Sequence, residues 1–394
     1  MKSYSWKLDR EFLTSRRLIL IIIVVGLIAR AWTIFEPRSD FDEPTFLELA
    51  QTYARFIKSG DWREIPQYTG VQEHPAFVKL LFTLAVLATD SLEPRVTFIA
   101  ARGISAVFGV MTLALVSLVN PLAAGILAVH TMEVKYTSEI YLEAVAQFTS
   151  FAAVYSFSRS VKLDKWFWLS IFLIGLTAAS KYTYFPAVFA IASIAIQQRR
   201  SWAHYLIYVV MAGVVLLIFN PTLWTNPPLR LWESLTFHSR YSQSDHVQLS
   251  GFSWYQPFVW LIGPAAYYSH RLIYFGFDWL PFFLSLIGLP LQWRRRRWVV
   301  LWYLAGVIVL LLWPSKWPQY PMIILVPLAL SAGDVMLNLL QRIRIAVYLN
   351  FAGETPLRIN FEFDSAPTPS PVFVVEANYS FTLLRKQLTR LWSR

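Results

Sequence analysis

The chain has 394 residues, of which 56% are hydrophobic, 16% aromatic and only 15% charged, against roughly 25% charged in an ordinary soluble domain. That balance excludes a soluble globular fold, and runs that do not alternate apolar with polar residues argue against a membrane β-barrel. The net charge of +11 comes with no nucleic-acid-binding motif and fits the basic anchoring loops of a membrane protein, while the absence of cysteine excludes disulfides, thiolate metal sites and a thiol nucleophile.

In chain order, Arg16 and Arg17 precede the apolar run Leu18 to Ala29 without a small-x-small cleavage site after it, so an uncleaved first span is expected. Apolar segments follow at roughly 75–89, 96–119, 121–133, 139–158, 166–180, 184–198, 202–219, 279–292, 298–313 and 318–340. Several fall short of the roughly 20 residues of a straight span, which predicts broken or re-entrant helices. Lys2, Lys7, Arg10, Arg16 and Arg17 place the N-terminus in the cytoplasm. For the basic loops at 159–165, 199–200, 294–297 and 342–344 to share that side, one segment must fail to cross. The short 121–133, opened by Asn120-Pro121, is expected to dip in from the outer side and return. The loops 36–74, 134–138, 180–184, 220–278 and 314–318 then lie outside. Trp32, Trp202, Trp279, Trp298 and Trp313 sit near span ends, as an interfacial belt does.

Within the first outer loop, Asp40-Phe41-Asp42-Glu43-Pro44 leads into Phe46, Leu49, Tyr53, Phe56 and Ile57 at helical spacing. Asp42 is the expected N-cap, Pro44 a first-turn residue and Gly60 the C-cap of an amphipathic helix in the membrane interface. Glu73-His74-Pro75 then opens the second apolar segment, with Lys79 about one and a half turns inside it, a costly position for a cation that has no anionic partner. After Arg342 the composition changes. Residues 345–351, 357–363 and 372–375 have strand-like content, Pro367, Pro369 and Pro371 form a linker, and 379–392 has helical amphipathicity. The expected division is a membrane domain at 1–341 and a tail of unknown role at 342–394.

Asp42-Glu43 after the first span and His74-Pro75-Ala76-Phe77-Val78-Lys79 at the second resemble the GT-C membrane glycosyltransferases, specifically the protein O-mannosyltransferase family and its prokaryotic relatives. In that family an Asp-Glu pair and a His-Pro-Pro-Leu-Gly-Lys-like stretch stand at these places. Here the second proline and the glycine are replaced. Arg102-Gly103-Ile104-Ser105 is similar to the family's Arg-x-x-Ser pattern, and Lys135 to Glu143 to a segment in which Glu139 replaces a common arginine. Ala179-Ser180-Lys181-Tyr182 resembles the charged break between two spans, and Trp317-Pro318-Gln319-Tyr320-Pro321 the entry to the last one.

The resemblance implies an all-α polytopic GT-C-type bundle of about 10–11 membrane helices with amphipathic helices on its outer face. It also implies a hexosyltransferase that moves a sugar from a polyprenyl phosphate (dolichyl or undecaprenyl) to a protein, lipid or glycan hydroxyl, with inversion. Asp42 is the expected base, with Glu43 beside it. His74, Lys79, Lys181, Tyr182, Lys316, Gln319 and Tyr320 are the expected donor and phosphate contacts. Glu73, Glu139, Glu143 and His238 are expected at sugar or acceptor. No cofactor is expected, Mg or Mn being the alternative, since the six histidines show no His-x-x-x-His spacing. The expected location is a prokaryotic plasma membrane rather than the ER membrane, with the site extracytoplasmic. A flippase or transporter of lipid-linked or anionic cargo is the alternative function. An interaction subunit with a decayed site is a third.

Overall fold

The computed structural model describes residues 16–68, 70, 74–263 and 276–351, with side chains to 342. The chain forms two units, 1–337 and 338–394; the first carries everything below. Its helices are α1 (Arg16–Ile34), α2 (Glu43–Ser59), α3 (Glu64–Gln67), α4 (Phe77–Ala88), α5 (Pro94–Ser117), α6 (Pro121–Val129), α7 (Thr131–Tyr136), α8 (Glu143–Arg159), α9 (Lys165–Ser180), α10 (Ala187–Gln197), α11 (Trp202–Phe219), α12 (Pro227–Tyr241), α13 (Asp245–Ser250), α14 (Gln256–Ile262), α15 (Trp279–Arg295), α16 (Arg297–Leu312) and α17 (Met322–Phe351). No strand occurs among the described residues. Residues 345–351, strand-like in composition, are helical. They continue a helix already formed upstream, where each added residue escapes the cost of nucleation. The features expected at 357–392 lie outside the described residues.

Four described helices, α1, α5, α11 and the 322–342 part of α17, are long and apolar enough to cross a membrane. They differ in surroundings: 72% of the α17 window is buried inside the protein against 6% for α11. The last span is therefore the centre of the bundle, and α11 is its lipid-facing edge.

Close contacts fix the direction of each pass. On α5, Arg102 meets the chain just after α1, Gly109 faces Arg30, and Leu113 lies against Gly26, so α5 runs antiparallel to α1. The approach at Gly109 is one only glycine tolerates, because a Cβ there would stand 2.6 Å from Arg30 Nε and 2.7 Å from Thr137. Next, Gly125 lies beside Ile22, Glu133 pairs with Arg30, and Lys135 reaches Asp40. Thus α6 and α7 together run the length of the bundle parallel to α1.

This corrects the expectation for 121–133. The segment does not turn back but continues along α1 from Ile22 to Arg30 with a break at His130, and its apolar run is interrupted because Glu133 and Lys135 are buried against Arg30 and Asp40. The apolar segment expected at 75–89 forms the short helix α4. Its 12 residues span about 18 Å, short of the roughly 30 Å hydrocarbon core. It lies beside α2, start near start (Phe46 and His74 rings 5.9 Å apart) and end near end (the Lys58–Asp90 ion pair).

Candidate functional site

At the end of the bundle where α1 finishes, the chain gathers two layers of ionisable groups. The first is acidic. Asp42 occupies the N-cap position of α2, with Pro44 in the first turn and Gly60 closing the helix at φ +83°, as the sequence predicts. Its side chain, however, makes no capping bond. The half-buried carboxylate instead faces Gln319, whose Nε2 donates to Oδ2 at 3.2 Å.

Glu43 is fully buried and fully engaged. Arg102 donates to both of its oxygens (Nε 2.8 Å, Nη2 2.6 Å), and the Ile140 and Asp40 amides add one bond each at 2.8 Å. The remaining Arg102 donors hold the carbonyls of Ile34, Glu36 and Arg38, which fastens the loop that carries Asp42. Asp40 accepts from Lys135 Nζ (2.6 Å) and the Tyr141 hydroxyl (3.1 Å). Burial raises its pKa, but the charge and hydrogen bond of Lys135, with the Phe41 amide and the Tyr141 hydroxyl, together hold the carboxyl below the usual range. Glu139 shares Lys135, with both oxygens 3.0 Å from Nζ. Burial, joined by the charges of Glu43 and Asp40, pushes it up to about 8 against the pull of Lys135.

The second layer is basic. Lys181, at the end of α9, pairs with Glu143, the first residue of α8, and lies 5.4 Å over the Tyr320 ring. The His74 and His238 rings are 5.8 Å apart, and His238 also meets Trp313 at 4.9 Å. Burial, then Lys181, lowers His238 to about 4; burial, then Lys181, His238 and Lys79, pushes His74 well below its usual value. Both imidazoles are therefore neutral at neutral pH. His238 Nδ1 is buried without a partner, and so is Glu143 Oε2. Asn220 joins three segments: its Oδ1 accepts the Ala76 amide (2.8 Å) and its Nδ2 donates to the Tyr182 hydroxyl (3.2 Å).

Asp42, Glu43, His74, Lys79, Glu139, Glu143, Lys181, Tyr182, His238, Lys316, Gln319 and Tyr320 thus come to one end of the bundle, linked by these contacts; Glu73 lies outside the described residues. Their chemistry differs. Lys79 is buried and donates to the His74 carbonyl at 2.7 Å, which holds the His-Pro turn. Lys316 donates to the carbonyls of Leu310 (2.7 Å), Leu311 (3.0 Å) and Trp313 (2.5 Å), the free carbonyls at the end of α16. Sequence reasoning missed Asn220 and Arg102 as the ties that hold the layers. The Asn220-Pro221 break and the Arg-x-x-Ser pattern were their signals. Among the described residues, no three His, Asp or Glu side chains are grouped as ligands of a metal ion.

Asp42 and Lys181 flank consecutive residues, Gln319 and Tyr320. Such an arrangement can take a proton from a hydroxyl on one side and hold an anion on the other.

The structure is similar to that of ArnT from Cupriavidus metallidurans bound to undecaprenyl phosphate, with a TM-score of 0.57 and 14% identity over 85% of this chain. The apo form of the same protein matches at 0.56 and 14% identity over 81%. The oligosaccharyltransferase of Archaeoglobus fulgidus, in its apo form, matches at a TM-score of 0.49 and 12% identity over 87% of this chain and 53% of its own. The chain spans 63% of the ArnT structure bound to undecaprenyl phosphate and 59% of the apo one. No protein-family model and no curated protein matches the sequence.

Proposed function

From the GT-C membrane fold that the chain has, we propose that it is a glycosyltransferase that moves a sugar from a polyprenyl phosphate to an acceptor hydroxyl, with inversion, on the extracytoplasmic side of a membrane. The observation that carries the reading is the placing of a half-buried carboxylate and a buried ammonium on either side of Gln319 and Tyr320. The ArnT structure with undecaprenyl phosphate supports the donor class.

In this reading Asp42 Oδ takes the acceptor proton as the acceptor oxygen attacks the anomeric carbon. The bond from that carbon to the phosphate oxygen breaks, and the electron pair leaves on polyprenyl phosphate. Lys181, with the neutral His74 and His238 as hydrogen-bonding partners, stabilises the departing charge, and Tyr182, Gln319 and Tyr320 shape the space between. Glu43 acts through Arg102 and the loop it holds. Glu139 and Glu143 set the charge around Asp42 and Lys181. The chemistry draws on the chain's own acid and cations, with no metal.

Membranes containing the wild-type protein, given a panel of polyprenyl-phosphate sugars, transfer a sugar, and EDTA does not stop them. Asp42→Asn lowers transfer about 10³-fold while donor binding persists, a loss in the middle of the range for removing a general base. Transfer retained by Asp42→Asn overturns the assignment of the base. Movement of the intact lipid-linked sugar between leaflets, without transfer, overturns the enzyme reading in favour of a transporter.

A further inference from the structure

One aromatic stack lies outside the two ionic layers. His246, on the short α13, stacks on Phe41 with ring centroids 5.3 Å apart and planes at 8°, and on Trp317 at 5.1 Å and 29°. These two rings come from the segments that hold the proposed base. Phe41 is the residue before Asp42, and its amide donates to Asp40 Oδ1 at 2.8 Å. Trp317 stands two residues before Gln319, the hydrogen-bond donor to Asp42.

The segment around His246 has little else to hold it. No residue of α13 is buried, Leu249 is 85% exposed, and the hydrogen bond from Gln248 Nε2 runs to Ser242 within the same segment. The exposed His246 ring, stacked on Phe41 and Trp317, therefore joins residues 242–251 to both sides of Asp42, beside the contact of the following Phe252 with Trp317 at 5.7 Å.

We infer that His246 is a positioning residue for Asp42: its ring, held between Phe41 and Trp317, clasps residues 242–251 over the carboxylate and keeps Gln319 seated on it. The interaction is one of stacked faces, so any flat ring of similar size serves. The effect on transfer rests on the function proposed above; the closure over Asp42 does not.

The test uses the full-length protein in membranes, with His246→Ala and His246→Phe. A water-soluble carbodiimide labels accessible carboxylates, and mass spectrometry maps the sites. In His246→Ala, labelling of Asp42 rises about tenfold and kcat falls about tenfold with donor KM unchanged, the size expected for losing two stacked pairs. His246→Phe restores both, and buried Glu43 stays unlabelled throughout as the folding control. Unchanged labelling in His246→Ala overturns the clasp, and so does a phenylalanine variant that behaves like the alanine one. Raised labelling with unchanged kcat overturns the positioning role. Should the wild type transfer no sugar, the proposed function fails by itself, and the labelling alone decides whether the stack closes over Asp42.

Discussion

Two of the buried acid–base pairs at this end of the bundle have their glutamate at the first residue of a helix: Glu43 on α2 with Arg102, and Glu143 on α8 with Lys181. The first pair is complete. Four donors meet the Glu43 oxygens, and the guanidinium uses its other donors on three carbonyls. The second is not. Glu143 Oε2 has no partner, and Lys181, an ammonium with three donors, bonds to Glu143 and lies over a ring. Buried polar groups are ordinarily satisfied, so a closed pair reads as framework and an open one as a place left for a ligand. Both pairs look alike in the sequence, an acid and a distant base near span ends, and only their surroundings separate them.

Breaking the closed pair should have the largest effect. Arg102→Met leaves Glu43 charged and buried with two amides for partners, a loss of about 3–5 kcal/mol for a pair of this kind. In detergent, the variant should unfold at a clearly lower temperature than the wild type and lose donor binding and transfer together. A variant with unchanged thermal stability would mean that Arg102 is not framework.

Breaking the open pair should separate binding from folding. Lys181→Met removes the cation proposed to face phosphate, so the expected result is a donor affinity about 100-fold weaker, in line with loss of a charge-assisted contact. The melting temperature should shift by much less than in Arg102→Met. Equal losses of stability in the two variants would erase the distinction drawn between the pairs.

Much of this was legible in the chain. Composition gave the membrane class, and Asp42, Pro44 and Gly60 gave the limits of α2 to within a residue. Partnership was not legible. Asp42 and Gln319 are 277 residues apart, and nothing local to either predicts that the aspartate leaves its capping role to face the glutamine. The course of residues 121–136 has the same origin. Hydropathy rewards an unbroken apolar run and cannot see a partner on another helix. The pass through α6 and α7 carries Glu133 and Lys135, whose burial is possible only because Arg30 and Asp40 meet them from another helix. The family-like motifs mark residues that come to one end of the bundle but not their partners, since Lys79, Lys181 and Lys316 are three lysines near helix ends that hold, respectively, a turn, a carboxylate and a helix terminus.

Lys316 gives the finest test of the comparison, because it is a cation close to the open pair that is itself closed. Its three carbonyl partners take up the three donors of an ammonium, and burial lowers its pKa. A lysine so engaged caps α16 and has no donor left for a phosphate. Lys316→Gln, which retains a donor of shorter reach, should therefore cost about 1 kcal/mol of stability, the scale of one net hydrogen bond, and leave donor affinity within about twofold of wild type. A loss of donor affinity as large as that of Lys181→Met, at unchanged stability, would show that Lys316 turns from its carbonyls to the donor, and the line between framework and ligand site would then have to be redrawn through the 313–320 segment.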